Sequence, residues 1–190
     1  MYGRVRRANM DRRSFLRRSG LAGALATAGC LGGGGEVVES TARTVTIEPY
    51  SGWIAEIPDV SDPGGTISYT AECERGFDVY FFTSEDERDA YEEYIERKPA
   101  DQQPGAAAGD MPKGDQSIGQ TATEGDDGRY RAATKDKGAR QPIDGSGPYY
   151  FALDNSNYPA AGGAFLEEPA ESRWVDLDLT VTKRRFGLPI

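Results

Sequence analysis

From Thr44 onward the chain alternates apolar and polar positions with a period of two, the signature of strands that bury one face. Val45 and Ile47 share one side of Thr44–Glu48, and Ile67, Tyr69, Ala71 and Cys73 share one side of Thr66–Cys73. Phe77–Phe82 is aromatic and β-branched, and the pattern predicts that it pairs with Thr66–Cys73 in a hairpin closing at Glu74-Arg75-Gly76. Weaker strands are expected at Ser117–Thr123 and Arg129–Thr134, on either side of Gly125-Asp126-Asp127-Gly128, and a strong one at Tyr149–Asp154. Trp174–Thr182 is the cleanest, with Val175, Leu177, Leu179 and Val181 facing in and Asp176, Asp178, Thr180 and Thr182 facing out.

One segment changes period. Ser84-Glu85-Asp86-Glu87 is a Ser-x-x-Glu capping box, and its acids suit the positive end of a helix. Tyr91, Tyr94 and Ile95 then form an apolar stripe, Arg97 and Lys98 suit the C-terminal end, and Pro99 stops the helix. Asp101–Gly114 is rich in Gly, Ala and Pro without periodicity and is expected to be a mobile loop. The fold class that follows is mainly β: a single antiparallel β-sandwich with one short helix, over residues 43–190.

The N-terminal stretch has no such alternation. A basic region holding Arg4, Arg6, Arg7, Arg12, Arg13, Arg17 and Arg18 precedes a short Gly/Ala-rich apolar segment ending near Leu31. A bilayer span needs about 20 mostly apolar residues, so the stretch reads as an export signal over residues 1–29. Arg12-Arg13 with Phe15 and Leu16 resembles the twin-arginine motif, with Asp11 where Ser or Thr is usual. Thr27-Ala28-Gly29-Cys30 resembles a lipoprotein processing box, which implies lipidation at Cys30. Met10 serves as well as Met1 for a start, because all the signal needs follows it. Residues 30–42, with Gly32–Gly35 and the polar run after them, are then expected to be a flexible tether. The implied location is the outer face of the cytoplasmic membrane, held by a lipid anchor.

Processing before Cys30 leaves 15 basic and 30 acidic residues over 161 positions, a net charge of −15. Such a charge disfavours nucleic acid and anionic surfaces as partners. Abundant acid with scarce lysine resembles the exported proteins of haloarchaea. With Cys30 lipidated, Cys73 is left alone on its apolar face and reads as a small buried hydrophobe.

The search for chemistry yields exclusions. The chain has no histidine, which removes Ser-His-Asp and Cys-His catalysis, imidazole-based zinc sites and blue copper. No phosphate-binding glycine loop or dinucleotide fingerprint is present, and two α/β lobes for a transported solute do not fit the length. No catalytic residue and no metal site are assigned and no cofactor is expected. Calcium is the one ion the loops could hold, through oxygens of Asp126-Asp127-Gly128 and Asp154-Asn155-Ser156-Asn157, although neither has EF-hand spacing and turns use the same residues.

Gly147-Pro148-Tyr149-Tyr150-Phe151-Ala152-Leu153-Asp154-Asn155-Ser156 resembles the penultimate strand of the GOLD (Golgi dynamics) β-sandwich, a "G-x-Y-x-F-x-F-x-N-x" pattern carried here by Gly147, Tyr149, Phe151 and Asn155. Trp174–Thr182 would be the last strand. Ala152 stands where the cargo receptors of that family often have a disulfide Cys, and their coiled coil and membrane helix have no counterpart here. The resemblance implies a sandwich that serves protein contacts. The function expected is a lipid-anchored, extracytoplasmic, non-catalytic binding module for a surface protein or polymer. The competing expectation is a small carboxylate-dependent hydrolase of surface sugars or peptides.

Overall fold

The computed structural model describes residues 35–57, 60, 64–102, 118–143, 147–156, 158 and 169–184. The described strands form two antiparallel sheets packed face to face, so the chain is a β-sandwich. The larger sheet runs β1 (Gly35–Ile47), β10 (Arg173–Arg184), β3 (Gly65–Cys73), β7 (Tyr130–Ala133), β6 (Thr123–Glu124), and β8 (Gln141–Ile143) pairs beside β7 on β3. The smaller runs β2 (Ser51–Ile57), β9 (Tyr149–Asn155), β4 (Asp78–Phe82), β5 (Ile118–Thr121).

The core lies between the sheets. Val45, Ile47, Ile67, Tyr69, Ala71, Cys73, Val175, Leu177, Leu179 and Val181 come from the larger sheet, and Val79, Phe81, Tyr149, Phe151 and Leu153 from the smaller. Tyr69 meets Phe151 edge-on across the gap, at 5.0 Å between ring centroids. Cys73 is buried on the expected face, as a free thiol.

Helix α1 (Glu85–Ile95) covers the other face of the smaller sheet. Its capping box works as the sequence requires at one end: the Glu87 amide donates to Ser84 Oγ at 3.3 Å. The Glu87 carboxylate reaches one residue further back, accepting from the Thr83 amide at 2.9 Å. Tyr91 and Tyr94 pack with Tyr80, Phe82, Tyr150, Ala152 and Tyr158 in a second apolar cluster. This helix explains why β4 and β9 are buried at every position and read as continuous apolar runs.

Four expectations need correction. The tether does not extend to residue 42: Gly35–Ala42 already belongs to β1 and pairs with β10 from Gly35↔Arg184 to Ala42↔Asp178. Gly35 packs against the Thr182 methyl, and this cover is why Thr182 is buried and not on the wet face. The hairpin at Glu74-Arg75-Gly76 is an arch. β3 and β4 lie in different sheets, and Phe77, fully buried, turns the chain from one to the other. Buried Arg173 holds the arch, donating from Nε to the Gly76 carbonyl at 3.0 Å. Finally, the loop expected from Asp101 begins in order: Pro99–Asp101 is a 3-10 turn, and Gln102 is buried with Nε2 donating to the Tyr50 and Arg97 carbonyls. Residues 103–114 lie outside the described residues.

Candidate functional site

The outer face of the larger sheet is built by strand register. One row of side chains crosses five strands, Thr44–Asp176–Glu72–Arg131–Thr123, each residue directly opposite the next. The row is knitted together. Thr44 Oγ1 donates to Asp176 Oδ1 at 2.7 Å, and Arg131 donates to both Glu72 oxygens, at 3.0 and 3.3 Å. Arg131 also grips Asp127 on the Gly125–Gly128 turn through two bonds of 2.8 and 2.6 Å, and Arg129 pairs with Glu72 and, at 3.6 Å, with Asp176. The Arg131 guanidinium holds the Asp127 carboxyl well below the usual carboxylate range, helped by the Arg129 amide. Exposed pairs of this kind contribute little to stability; their effect is to fix the geometry of a polar surface.

An open, shallow depression on this face is lined by Arg43, Thr44, Thr70, Glu72, Asp176 and Asp178 among others. Two residues before Asp176 on β10 stands Trp174, 63 % exposed, opposite Thr46. A flat array of hydroxyls, carboxylates and guanidiniums beside a large exposed ring offers hydrogen bonds together with a stacking surface.

A second polar constellation is buried. On the helix-covered face of the smaller sheet, register sets Gly52, Asp154, Asp78 and Thr121 side by side on four adjacent strands. Tyr91 Oη, reaching down from α1, donates to Asp154 Oδ1 at 2.6 Å, and Ser156 Oγ donates to the same oxygen at 2.8 Å. The hydroxyl of Tyr91 occupies the space that a Cβ on Gly52 would fill. Burial pushes the Asp154 carboxyl up to about 6, against the pull of its donors Tyr91 and Ser156. Burial likewise pushes Asp78 up to about 7; the Thr121 hydroxyl opposes this and the Asp154 charge adds to it. Among the described residues no three of His, Cys, Asp and Glu gather as a metal cage. The donors here are two carboxylates and hydroxyls.

The residues singled out from sequence fall in three places. Cys30, Arg12, Arg13, Phe15 and Leu16 lie outside the described residues. Tyr149 and Phe151 are inward core residues of β9, and Gly147, with φ 51°, leads into that strand. Asn155 ends it, its Nδ2 donating to the Glu48 and Glu171 carbonyls at 3.2 and 2.8 Å. Of the loop oxygens considered for a cation, Asp127 is taken by Arg131 and Asp154 and Asn155 belong to β9, while Asn157 lies outside the described residues. Sequence reasoning missed β2 and with it Gly52, and it missed Asp78 and Thr121 as partners of Asp154. The available signal was an acid within each of two otherwise apolar runs, Phe77–Phe82 and Tyr149–Leu153 with its following Asp154.

No protein family, no curated protein and no solved structure matches the chain.

Proposed function

We propose that the chain is a non-catalytic binding module, exported by the twin-arginine route, lipidated at Cys30 and displayed on the outer face of the cytoplasmic membrane. Its partner is a surface protein or polymer that docks on the outer face of the larger sheet. The observation that carries the docking face is Trp174, a large ring left exposed beside a pre-ordered polar row. Aromatic residues on fixed surfaces concentrate binding energy, and the row supplies orienting hydrogen bonds without needing to reorganise. The Arg12-Arg13 pair and Cys30 support the address, and the GOLD-like strand supports, by analogy, a sandwich used for contacts.

Export and anchoring are tested in cells. Cys30→Ser should release the protein from membranes or leave it unprocessed, and replacing Arg12 and Arg13 by Lys should block export; unchanged membrane retention in Cys30→Ser refutes the lipid assignment. Docking is tested by a membrane pull-down in high salt with the full chain. Trp174→Ala should lose partners while its melting temperature stays that of the parent. Turnover in a screen of glycoside, ester and peptide substrates, lost on changing one acid, would replace this reading with the hydrolase.

A further inference from the structure

We propose that the outer face of the larger sheet binds an uncharged polysaccharide, an inference that rests on the docking face proposed above and names its occupant. Strand alternation puts Trp174, Asp176, Asp178 and Thr180 on one side of β10, away from the core residues Val175, Leu177 and Leu179. Register extends that side into rows running across the strands, Glu72–Asp176–Thr44 and, four residues along, Ser68–Thr180–Ser40. Adjacent strands lie about 4.7–4.9 Å apart, close to the length of one pyranose unit. The depression on this face is open, so an extended polymer can lie across it without threading.

The chemistry of the face selects among occupants. Among the described residues the large apolar side chains left exposed are Trp174 and Val37, and Val37 lies opposite Thr182, toward the other end of β10. The Trp174 ring therefore stands among hydroxyls, carboxylates and guanidiniums. A protein partner asks for more, because the cores of protein interfaces are about 65 % apolar and depleted in charge. A sugar asks for one ring: its C–H face stacks on the indole while its hydroxyls bond to the groups around. Ser and Thr hydroxyls both donate and accept, which matches sugar hydroxyls that do the same. Charged polymers fit less well. Arg129 and Arg131 are already committed to Glu72, Asp176 and Asp127, so a polycation would have to displace them. A polyanion would meet a chain of formal charge −9.

The test uses the full chain as bait, in molar salt, with envelopes of the cells in which the protein is native. Carbohydrate from a protease digest of the envelopes should still be captured, and mild periodate, which cleaves vicinal diols, should abolish that capture. When the digest is passed through anion and cation exchangers, binding should stay with the fraction that neither retains. Trp174→Ala should weaken binding about tenfold, the loss of an interface anchor, and Trp174→Phe should keep most of it, both melting as the parent does. Capture that is lost on proteolysis or unmoved by periodate overturns the polysaccharide, and binding confined to a retained fraction overturns its neutrality. In each of those cases the docking face still stands if Trp174→Ala weakens capture of whole envelopes. No capture, or equal capture by the parent and Trp174→Ala, overturns both readings.

Discussion

Gly52 shows how one missing side chain arranges a buried acid. With a Cβ at that position Tyr91 Oη could not occupy its site above Asp154. Gly52→Ala should therefore destabilise the domain by about 1–3 kcal/mol, the range for overpacking. In Tyr91→Phe the obstructed hydroxyl is gone, so the double variant should be more stable than the sum of the two singles implies. Strict additivity in chemical denaturation would show that Gly52 acts through something other than Tyr91. The two acids give a second prediction. Asp154 and Asp78 ordinarily titrate near 3.8 and in the fold near about 6 and about 7, raised chiefly by burial. The folded state thus binds their protons more tightly than the unfolded chain. Their contribution is fully present below about pH 4 and is lost as pH rises through about 7. The melting temperature should fall between pH 4 and pH 8, and Asp78→Asn should flatten the fall.

At the scale of elements, strands were legible in two ways: β10 by a wet face alternating with a buried one, and β4 and β9 by continuous apolar runs. β10 reads itself: Val175, Leu177, Leu179 and Val181 are buried while Asp176 and Asp178 are exposed. Phe151→Ala in β9 should lower stability by about 3–5 kcal/mol, the range for a large aromatic side chain removed from a core, and Asp178→Ala should leave the melt unchanged. Equal effects would mean that the inward register of β9 is wrong. Where the sequence misled, sheet membership was at issue. Period two tells which side chains share a face, but not whether the next strand lies alongside or opposite, so the Glu74–Gly76 turn read as a hairpin. β2 was missed because Gly52 and Trp53-Ile54-Ala55 show no alternation; both of its faces are partly covered, Trp53 by the core and Ile54 by the helix-side cluster. The buried row was illegible for a related reason: Asp154, Asp78 and Thr121 meet only through the pairing of β9, β4 and β5.

For the whole molecule, the balance of charge sets the conditions of use. Under the proposed processing at Cys30 the chain would carry a net −15, a self-repulsion that salt relieves, and at 0.15 M the screening length is still about 8 Å. Melting temperature should climb steeply from low to molar salt, and a flat profile would contradict the halophilic reading. The length of β1 has a further consequence. Its 13 residues run from Gly35, opposite Arg184, to Ile47, opposite Arg173, with one register shift between Val37 and Glu39, and at about 3.3 Å per residue they span about 40 Å. A lipid upstream of Gly35 would enter the domain at one end of this strand, while Trp174 pairs with Thr46 at the other. Under the proposed anchoring the strand would act as a mast, lifting the exposed ring clear of the headgroups toward whatever passes above the membrane.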